Sequence, residues 1–349
     1  MAGSLNLSTG VCVAALWAAA LATGGVAPAA GARPVILDTD ICDDIDDTWA
    51  LAVLLQSPEL DCKLVTTAVG NTGDKAKVVA KFLDKVGRSD IPIGIGVKQG
   101  TGSHRQIAWA QDYDLASYPG KIHTDGVQAL IDTIMNSPTR ITLIAIGPLP
   151  NIGEALKREP RIAEKADFIG MHGSVFVGYG GRSSPDPEYN VKQDVPAAQR
   201  AFTAPWPMTI TPLDTCGLVN LGGEKYQRVL KKNSVVTATL LANYRQWFKD
   251  GLRDRKDLNA ADLAREVDGK LGTSSTTLFD TVAVYLAVNR DLIEVKELPI
   301  CVTDDGFTIP QDGAKTVQCA VKWKDLDGYE NWLVERLTSD QQAKTQDRK

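Results

Sequence analysis

Six aspartates lie within ten residues of one another, and carboxylates at that density could hold a metal ion. They are Asp38, Asp40, Asp43, Asp44, Asp46 and Asp47. The first two follow the apolar run 35–37 and would share one face of a strand, whereas the last two open a predicted helix, whose dipole favours negative charge. Close carboxylates repel unless a cation neutralises them, and oxygen ligands favour Ca²⁺ or Mg²⁺. A solvated acidic turn is the alternative interpretation.

The elements that must position these acids alternate between strands and helices. Short apolar or β-branched runs predict strands at 35–37, 64–69, 91–96, 141–146, 168–171, 293–302 and 317–321. Helical patterns fall at 49–55, 75–86, 126–136, 151–157, 197–202, 234–248, 281–287 and 331–337. This alternation predicts an α/β fold with an open, mostly parallel, Rossmann-like sheet flanked by helices. Residues 33–340 are expected to form a single domain, with ligands bound beyond the carboxyl ends of the strands.

Both ends of the chain differ in composition from its centre. Residues 1–32 contain no Asp, Glu, Lys or Arg, and small-residue sites follow the apolar run Val11–Ala22. This pattern is typical of a signal peptide and predicts a secreted, periplasmic or otherwise extracytoplasmic protein, with no membrane attachment after cleavage. The run is too short for a membrane span of about 20 residues. Residues 341–349 form a polar C-terminal tail.

The net charge and the cysteine spacing bear on whether the protein binds nucleic acid, holds zinc or forms a disulfide. The 349 residues carry 38 Lys and Arg against 43 Asp and Glu, so no basic excess favours nucleic-acid binding. The six cysteines match no zinc-binding spacing. Either Cys301 pairs with Cys319 in an oxidising compartment, or the five cysteines that remain after signal removal are buried free thiols.

Seven motifs follow one another between residues 34 and 337. They are Asp38–Asp40 with Asp46–Ala50, Thr66–Asn71, His123–Gly126, Ile146–Ile152, Gly170–Gly173, Glu188–Asn190 with Asp194, and Phe279-Asp280 with Ala283. In this order they resemble the motifs of the inosine-uridine-preferring nucleoside hydrolases. One short aspartate motif would be weak evidence, but seven in the same order strongly favour that fold and a metal site.

The resemblance implies a Ca²⁺-dependent hydrolase that cleaves the N-glycosidic bond of a small nucleoside substrate to ribose and free base. Asp40 would ligate calcium and act as general base on a metal-bound water, and Asp38 would orient its neighbours from behind. The other implied metal ligands are Asp47, the carbonyl of Ile146, and Asp280. The implied substrate contacts are Asp46, Asn71, Met171, Glu188 and Asn190. The resemblance leaves open whether the protein forms a homo-oligomer.

Two departures from the family pattern leave roles undecided. Ile41-Cys42 replaces Pro-Gly and two extra residues precede Asp46, so Asp43 or Asp44 could take a ligand role given to Asp46 or Asp47. Many members of the family have, at position 279, a His that can protonate the leaving base, and Phe279 cannot. A different leaving group or another acid would then be required. The candidate acids are His123 and His172, each of which is otherwise structural.

Other interpretations stay open at this stage. Tyr244 and Trp247 either contact the base or pack in the core of an amphipathic helix. Phe279 also fits a hydrolase of another riboside or sugar, and a calcium-dependent sugar-binding protein without catalysis is a third possibility. A phosphatase of the Asp-x-Asp type would need Thr or Val where Cys42 stands. The preferred base is not determined.

Overall fold

The computed structural model describes residues 31–102 and 104–340. The strands in this part of the chain are β1 (Arg33–Thr39), β2 (Leu60–Thr67), β3 (Ile93–Ile95), β4 (Ile122–His123), β5 (Ile141–Ala145), β6 (Ala166–Gly170), β7 (Met208–Ile210), β8 (Asn220–Gly222), β9 (Ser274–Thr277), β10 (Ile293–Val302), β11 (Thr308–Pro310) and β12 (Thr316–Trp323). The helices are α1 (Asp46–Leu55), α2 (Thr72–Lys85), α3 (Gly126–Met135), α4 (Pro150–Arg158), α5 (Ile162–Lys165), α6 (Tyr189–Lys192), α7 (Val195–Thr203), α8 (Leu213–Cys216), α9 (Gly223–Lys232), α10 (Val235–Gly251), α11 (Ala260–Thr273), α12 (Thr281–Val288) and α13 (Leu326–Thr338).

Ten of these strands form one sheet in the order β11-β10-β12-β7-β6-β5-β1-β2-β3-β4. Strand β10 runs antiparallel to β11 and β12, and the other neighbouring strands are parallel. Strands β8 and β9 pair separately as a small antiparallel ribbon. The predicted open, mostly parallel sheet flanked by helices is confirmed.

Strand β1 lies inside the sheet and is covered on both faces. Val35 and Leu37 belong to a core cluster that includes α1, α2, α10 and α12, whereas Ile36 belongs to the opposite cluster with α3, α4 and α7. Burial on both faces explains why this strand is a continuous apolar run rather than an alternating one. Its polar residues lie at its two ends, with Arg33 exposed at the amino end and Asp38 and Thr39 buried at the carboxyl end.

Two longer helices, α9 and α11, and the β8–β9 ribbon were not expected from the sequence, and neither were the short elements α5, α6, α8, β4 and β11. In α9 only Tyr226 and Val229 are buried, and in α11 only Val267 and Leu271. Each helix buries only two side chains, so its apolar stripe is short and most of its residues are polar, which makes it easy to overlook in the sequence.

The five described cysteines are free thiols, so the suggested pairing of Cys301 with Cys319 is wrong. Strand register gives the reason: Cys319 lies opposite Lys296, whereas Cys301 lies opposite Ile309 of β11.

Residues 1–30 of the predicted signal peptide, and the tail 341–349, fall outside the described residues. Among the helices found in 31–102 and 104–340, none combines the length and apolar character needed to cross a membrane.

Candidate active site

A pocket opens at the carboxyl ends of β1, β5 and β6, where the N-termini of α1 and α12 also meet. Seven acidic side chains line it: Asp40, Asp43, Asp44, Asp46, Asp47, Glu188 and Asp280. The remaining lining residues are Arg105, Ile146, Met171, Tyr179, Tyr189, Asn190 and Phe279. The pocket thus brings together most of the residues that the sequence nominated, on elements far apart in the chain.

The acids deepest in the pocket form a compact group. Carboxylate oxygens of Asp46, Asp47 and Asp280 lie within 4.8 Å of one another, and all three residues are buried. The first two begin α1, and Asp280 immediately precedes α12, so the positive ends of both helix dipoles face the group. The main-chain N–H of Asp280 donates to Oδ2 of Asp46 at 3.3 Å, which joins the two helix ends directly.

Burial and mutual repulsion make these carboxylates reluctant to ionise. Burial first, then the charge of neighbouring carboxylates, raises the pKa of Asp47 and of Asp280 well above its ordinary value. Burial, with Asp44 next, raises the pKa of Asp46 to about 8. A divalent cation among these oxygens would reverse the shifts, because it stabilises the ionised forms. The donor set, all oxygen, fits a hard cation such as Ca²⁺.

Asp40 stands beside this group and is held from two sides. A Cβ at Gly147 would lie 2.5 Å from its Oδ1, so only glycine leaves room for the carboxylate. Nζ of the fully buried Lys75 donates to the Asp40 carbonyl at 2.6 Å and lies 3.4 Å from Oδ1 of Asp43. Burial, followed by the charge of Asp47, raises the pKa of Asp40 well above its ordinary value.

Asp38 lies beneath the pocket and joins three strand ends. Its Oδ1 accepts hydrogen bonds from Nδ2 of Asn151 at 2.7 Å and from the Thr66 hydroxyl. Asn151 also donates to the Thr67 carbonyl and accepts from the Val97 main chain. Burial raises the pKa of Asp38 to about 6 in spite of these bonds. The position agrees with the expectation that Asp38 orients its neighbours from behind.

The opposite side of the pocket floor is built around Asn190. Its Nδ2 donates to the carbonyl of Ile146 at 3.1 Å and to the carbonyl of Met171 at 3.0 Å. Glu188 caps the short helix α6, because its carboxylate accepts the main-chain N–H groups of Asn190 and Val191. A third such bond comes from Gly173. Burial raises the pKa of Glu188 to about 7.

Asn71 is the one implied substrate contact that the structure does not bring to the pocket. Its side chain accepts from the main chain of Asp74 and donates to Oδ2 of Asp74, so it caps the N-terminus of α2. The same helix sends Lys75, four residues later, toward the aspartates. The ribose contact of Asn71 stays a prediction, and in the structure its amide caps α2.

Neither histidine considered as an acid lines the pocket. His123 belongs to β4, an edge strand separated from β1 by two others. His172 is fully buried, and its Nε2 donates to the Gly147 carbonyl at 3.0 Å. Burial lowers the pKa of His172 to about 4, so its ring is neutral near pH 7. The geometry gives neither side chain direct access to a leaving group.

The outer wall of the pocket is aromatic. The rings of Tyr179 and Phe279 meet edge to face at 6.5 Å between centroids, and the Tyr179 hydroxyl accepts from the Tyr189 main chain at 2.9 Å. Tyr244 does not reach this wall, because it is fully buried against Trp49. Trp247 does not line the pocket either, and its indole N–H donates to the Asp43 carbonyl at 3.2 Å. Core packing, the alternative left open for both residues, describes Tyr244 best.

Comparison with known proteins assigns the chain to a family. Residues 35–341 match the inosine-uridine preferring nucleoside hydrolase family. The chain belongs to this family. Its fold is similar to that of a plant nucleoside hydrolase, PpNRh1, with a TM-score of 0.71, 24% identity, and coverage of 88% of this chain and 99% of that one. A purine-preferring ribonucleoside hydrolase from Gardnerella vaginalis gives a TM-score of 0.69 and 22% identity, over 88% and 98% of the two chains.

Curated relatives differ in how much of the chain they match. The inosine-uridine preferring nucleoside hydrolase of Leishmania major is 33% identical over 197 residues, which is 52% of this chain and 60% of that protein. The uncharacterized protein C1683.06c of Schizosaccharomyces pombe is 31% identical over 206 residues, 56% of this chain and 66% of that protein. The chain therefore spans less than two thirds of either. The non-specific ribonucleoside hydrolase RihC of Salmonella paratyphi B is 29% identical over 317 residues, 86% and 96% of the two chains.

The departures from the nucleoside hydrolase pattern acquire a structural explanation. Cys42 has a φ of +87°, a left-handed conformation that favours glycine, the residue that the family pattern has at this position. Helix α1 begins at Asp46, so the two extra residues lengthen the loop before the helix. Asp43 and Asp44 line the pocket from this loop and lie outside the compact group of three.

Sequence reasoning missed Lys75, which lies beneath the aspartate loop, and two residues that line the pocket, Arg105 and Tyr189. Lys75 had a usable signal, because its spacing from Val78, Val79 and Phe82 puts it on the buried face of α2. Arg105 had none, since it follows a Gly- and Ser-containing loop without periodicity. Tyr189 was noticed only as part of the Glu188–Asn190 motif.

Proposed function

We propose that this protein hydrolyses the N-glycosidic bond of nucleosides to ribose and free base, and that it requires bound Ca²⁺. The observation that carries the proposal is the buried group Asp46, Asp47 and Asp280 in a chain of the nucleoside hydrolase family. Three mutually repelling carboxylates at two helix N-termini form a cation site built of oxygen alone. The relatives named for purine, pyrimidine and non-specific preferences do not select a base for this chain.

Breaking the N-glycosidic bond builds positive charge on the ribose ring, and an acidic pocket suits that change. Buried carboxylates stabilise an oxocarbenium-like transition state more strongly than they would in water. Asp46 and Asn190 would hold the ribose hydroxyls near the group, with Glu188 toward the 5′ side. Because such hydrogen bonds strengthen as charge develops, they accelerate the reaction rather than only binding the sugar.

Asp40 would be the general base. It lines the same pocket as Asp47, whose charge contributes to its raised pKa, and Gly147 and Lys75 restrict its position. Proton transfer to a positioned carboxylate is typically worth about 10²–10⁴-fold in rate. Asp40, Asp47, the Ile146 carbonyl and Asp280 would hold the Ca²⁺, with Asp46 close enough to join them. When bound, that ion lowers the pKa of its water and orients the sugar diol.

A second substrate class follows from Phe279, which lines the pocket beside Asp280 and has no proton to give. A riboside whose leaving group needs no protonation would suit this wall better than a purine nucleoside. The protein would then hydrolyse another riboside, and the acidic residues of the pocket floor would have the same roles.

A substrate panel tests the proposal. Inosine, adenosine, uridine and cytidine are incubated with Ca²⁺ or with a chelator, beside a panel of phosphate esters, and released reducing sugar or phosphate is measured. We expect Ca²⁺-dependent release of ribose from at least one nucleoside and no phosphate release. Ribose binding without turnover of any riboside would instead favour a sugar-binding protein, and phosphate release would favour a phosphatase.

We also propose that the protein is exported, on the strength of the uncharged N-terminal segment and its apolar run Val11–Ala22. Cleavage would leave a mature chain that starts between about Ala30 and Arg33. N-terminal sequencing of the protein from its native host checks this, and an intact Met1 in a cytosolic fraction would contradict it.

A further inference from the structure

Arg105 is the one basic side chain among the described residues that line the pocket. Its guanidinium carbon lies 4.9 Å from the centre of the Trp247 ring, which is a cation–π contact. A Cβ at Gly251, the last residue of α10, would lie 3.6 Å from its Nη1. Its main-chain N–H donates to the Cys42 carbonyl at 3.3 Å. The guanidinium is therefore supported by α10 and by the aspartate loop.

Stacking occupies the face of the guanidinium and leaves its edge for other contacts. The five N–H donors of arginine lie in that plane. In residues 31–102 and 104–340, no carboxylate oxygen forms an ion pair with this guanidinium. Arg105 and Asp44 line the same pocket, so the positive charge of the guanidinium faces the space that the acids surround.

A positive charge on the wall that carries Arg105 would favour the departure of a base from this pocket. Seven acidic residues line the pocket. The ring of Phe279 lines it too, and this side chain has no proton to donate. A base that leaves with the bonding electron pair would carry negative charge into this acidic space. Arginine remains protonated at all ordinary pH values, so it cannot serve as a general acid, but it can hydrogen-bond to a developing anion.

We propose that Arg105 binds the departing base and stabilises its negative charge, an inference that rests on the proposed function. The bond between C1′ and the base nitrogen breaks with its electron pair going to the base. Water adds to C1′ and loses a proton to Asp40. The base leaves as an anion hydrogen-bonded to Arg105 and then takes a proton from solvent. Substrates of this class have a carbonyl oxygen or ring nitrogen that can carry the charge and accept from the guanidinium.

Leaving-group dependence separates this role from a structural one. We expect Arg105→Gln to lower kcat/KM for uridine or inosine by about 10²–10³-fold, the usual loss when one such donor is removed. For p-nitrophenyl riboside, whose phenolate needs little help to leave, the loss should stay below about 10-fold. Arg105→Lys, which keeps the charge, should retain more nucleoside turnover than Arg105→Gln. Arg253→Gln is the matched control, because Arg253 follows α10 and pairs with Asp250 outside the pocket.

Two results would overturn the assignment. Equal losses on the nucleoside and the nitrophenyl substrate would show that Arg105 only supports the wall, and an unchanged rate on both would show no role. Failure of the proposed function is a separate result, since the unmodified protein would then hydrolyse no riboside at all.

Discussion

The floor and the outer wall of the pocket differ in how they are held. On the floor, Asp40, Asp46, Asp47 and Asp280 are between 2% and 4% exposed and sit at strand or helix ends packed in the core. On the wall, Tyr189 is 41% exposed, and Arg105 extends from a loop. A buried group at the end of a rigid element keeps its position, whereas an exposed loop residue can change without disturbing the fold. The floor would therefore set the reaction and the wall would set the substrate.

The largest expected effect comes from the floor, at Asp40. Asp40→Ala should abolish measurable turnover, a loss of at least about 10²–10⁴-fold, because it removes the general base. It should also weaken Ca²⁺ binding, since the same carboxylate would ligate the ion. Steady-state assays and calorimetric Ca²⁺ titration measure the two effects. Asp112→Ala, at an exposed residue paired with Lys81, serves as the control, and near-normal hydrolysis by Asp40→Ala would remove the mechanism.

Removing one carboxylate of the compact group should come next. Asp280→Asn is expected to weaken Ca²⁺ binding by at least about 10-fold, because it removes the charge of one of the proposed ligands. Asp44→Asn is the matched comparison, since Asp44 lines the same pocket outside that group. Calorimetric titration of both variants decides between two ligand sets. A larger loss in Asp44→Asn would assign the ion to the loop acids instead.

Changes in the wall should alter substrate preference more than overall rate. Because Phe279 cannot protonate a base, p-nitrophenyl riboside should be hydrolysed faster than inosine by about 10-fold or more. Phe279→His should raise inosine turnover relative to the nitrophenyl substrate if its ring reaches the base. Comparison of kcat/KM for both substrates measures this. Equally fast turnover of both by the unmodified protein would mean that position 279 does not limit the reaction.

The smallest effect concerns stability at acidic pH. Burial lowers the folded-state pKa of His172 to about 4, below its unfolded value of 6.5, so the unfolded chain binds more protons between these pH values. Stability from this residue is complete above pH 6.5 and is lost as the pH falls toward 4, by up to about 3 kcal/mol. Urea unfolding across this range should show the loss. His172→Gln should reduce the pH dependence.

Prediction succeeded where local sequence and tertiary environment agree. The run Val35–Leu37 followed by two aspartates predicts a buried strand with acids at its end, and β1 has that form. The sequence does not show which of two possible uses a residue has in the structure. Asn71 fits a motif for sugar contact, but its amide caps α2, because the first N–H groups of a helix need an acceptor.

The sequence by itself determined the family, the alternating α/β architecture and the density of carboxylates, because each leaves a local pattern. Tertiary structure decided which carboxylates meet: Asp280 joins Asp46 and Asp47 only because α12 packs against α1. It also decided that Lys75 lies beneath the aspartate loop and that Arg105 stacks on Trp247, 142 residues later. Contacts across such separations depend on how whole elements pack, and no local pattern in the sequence records them.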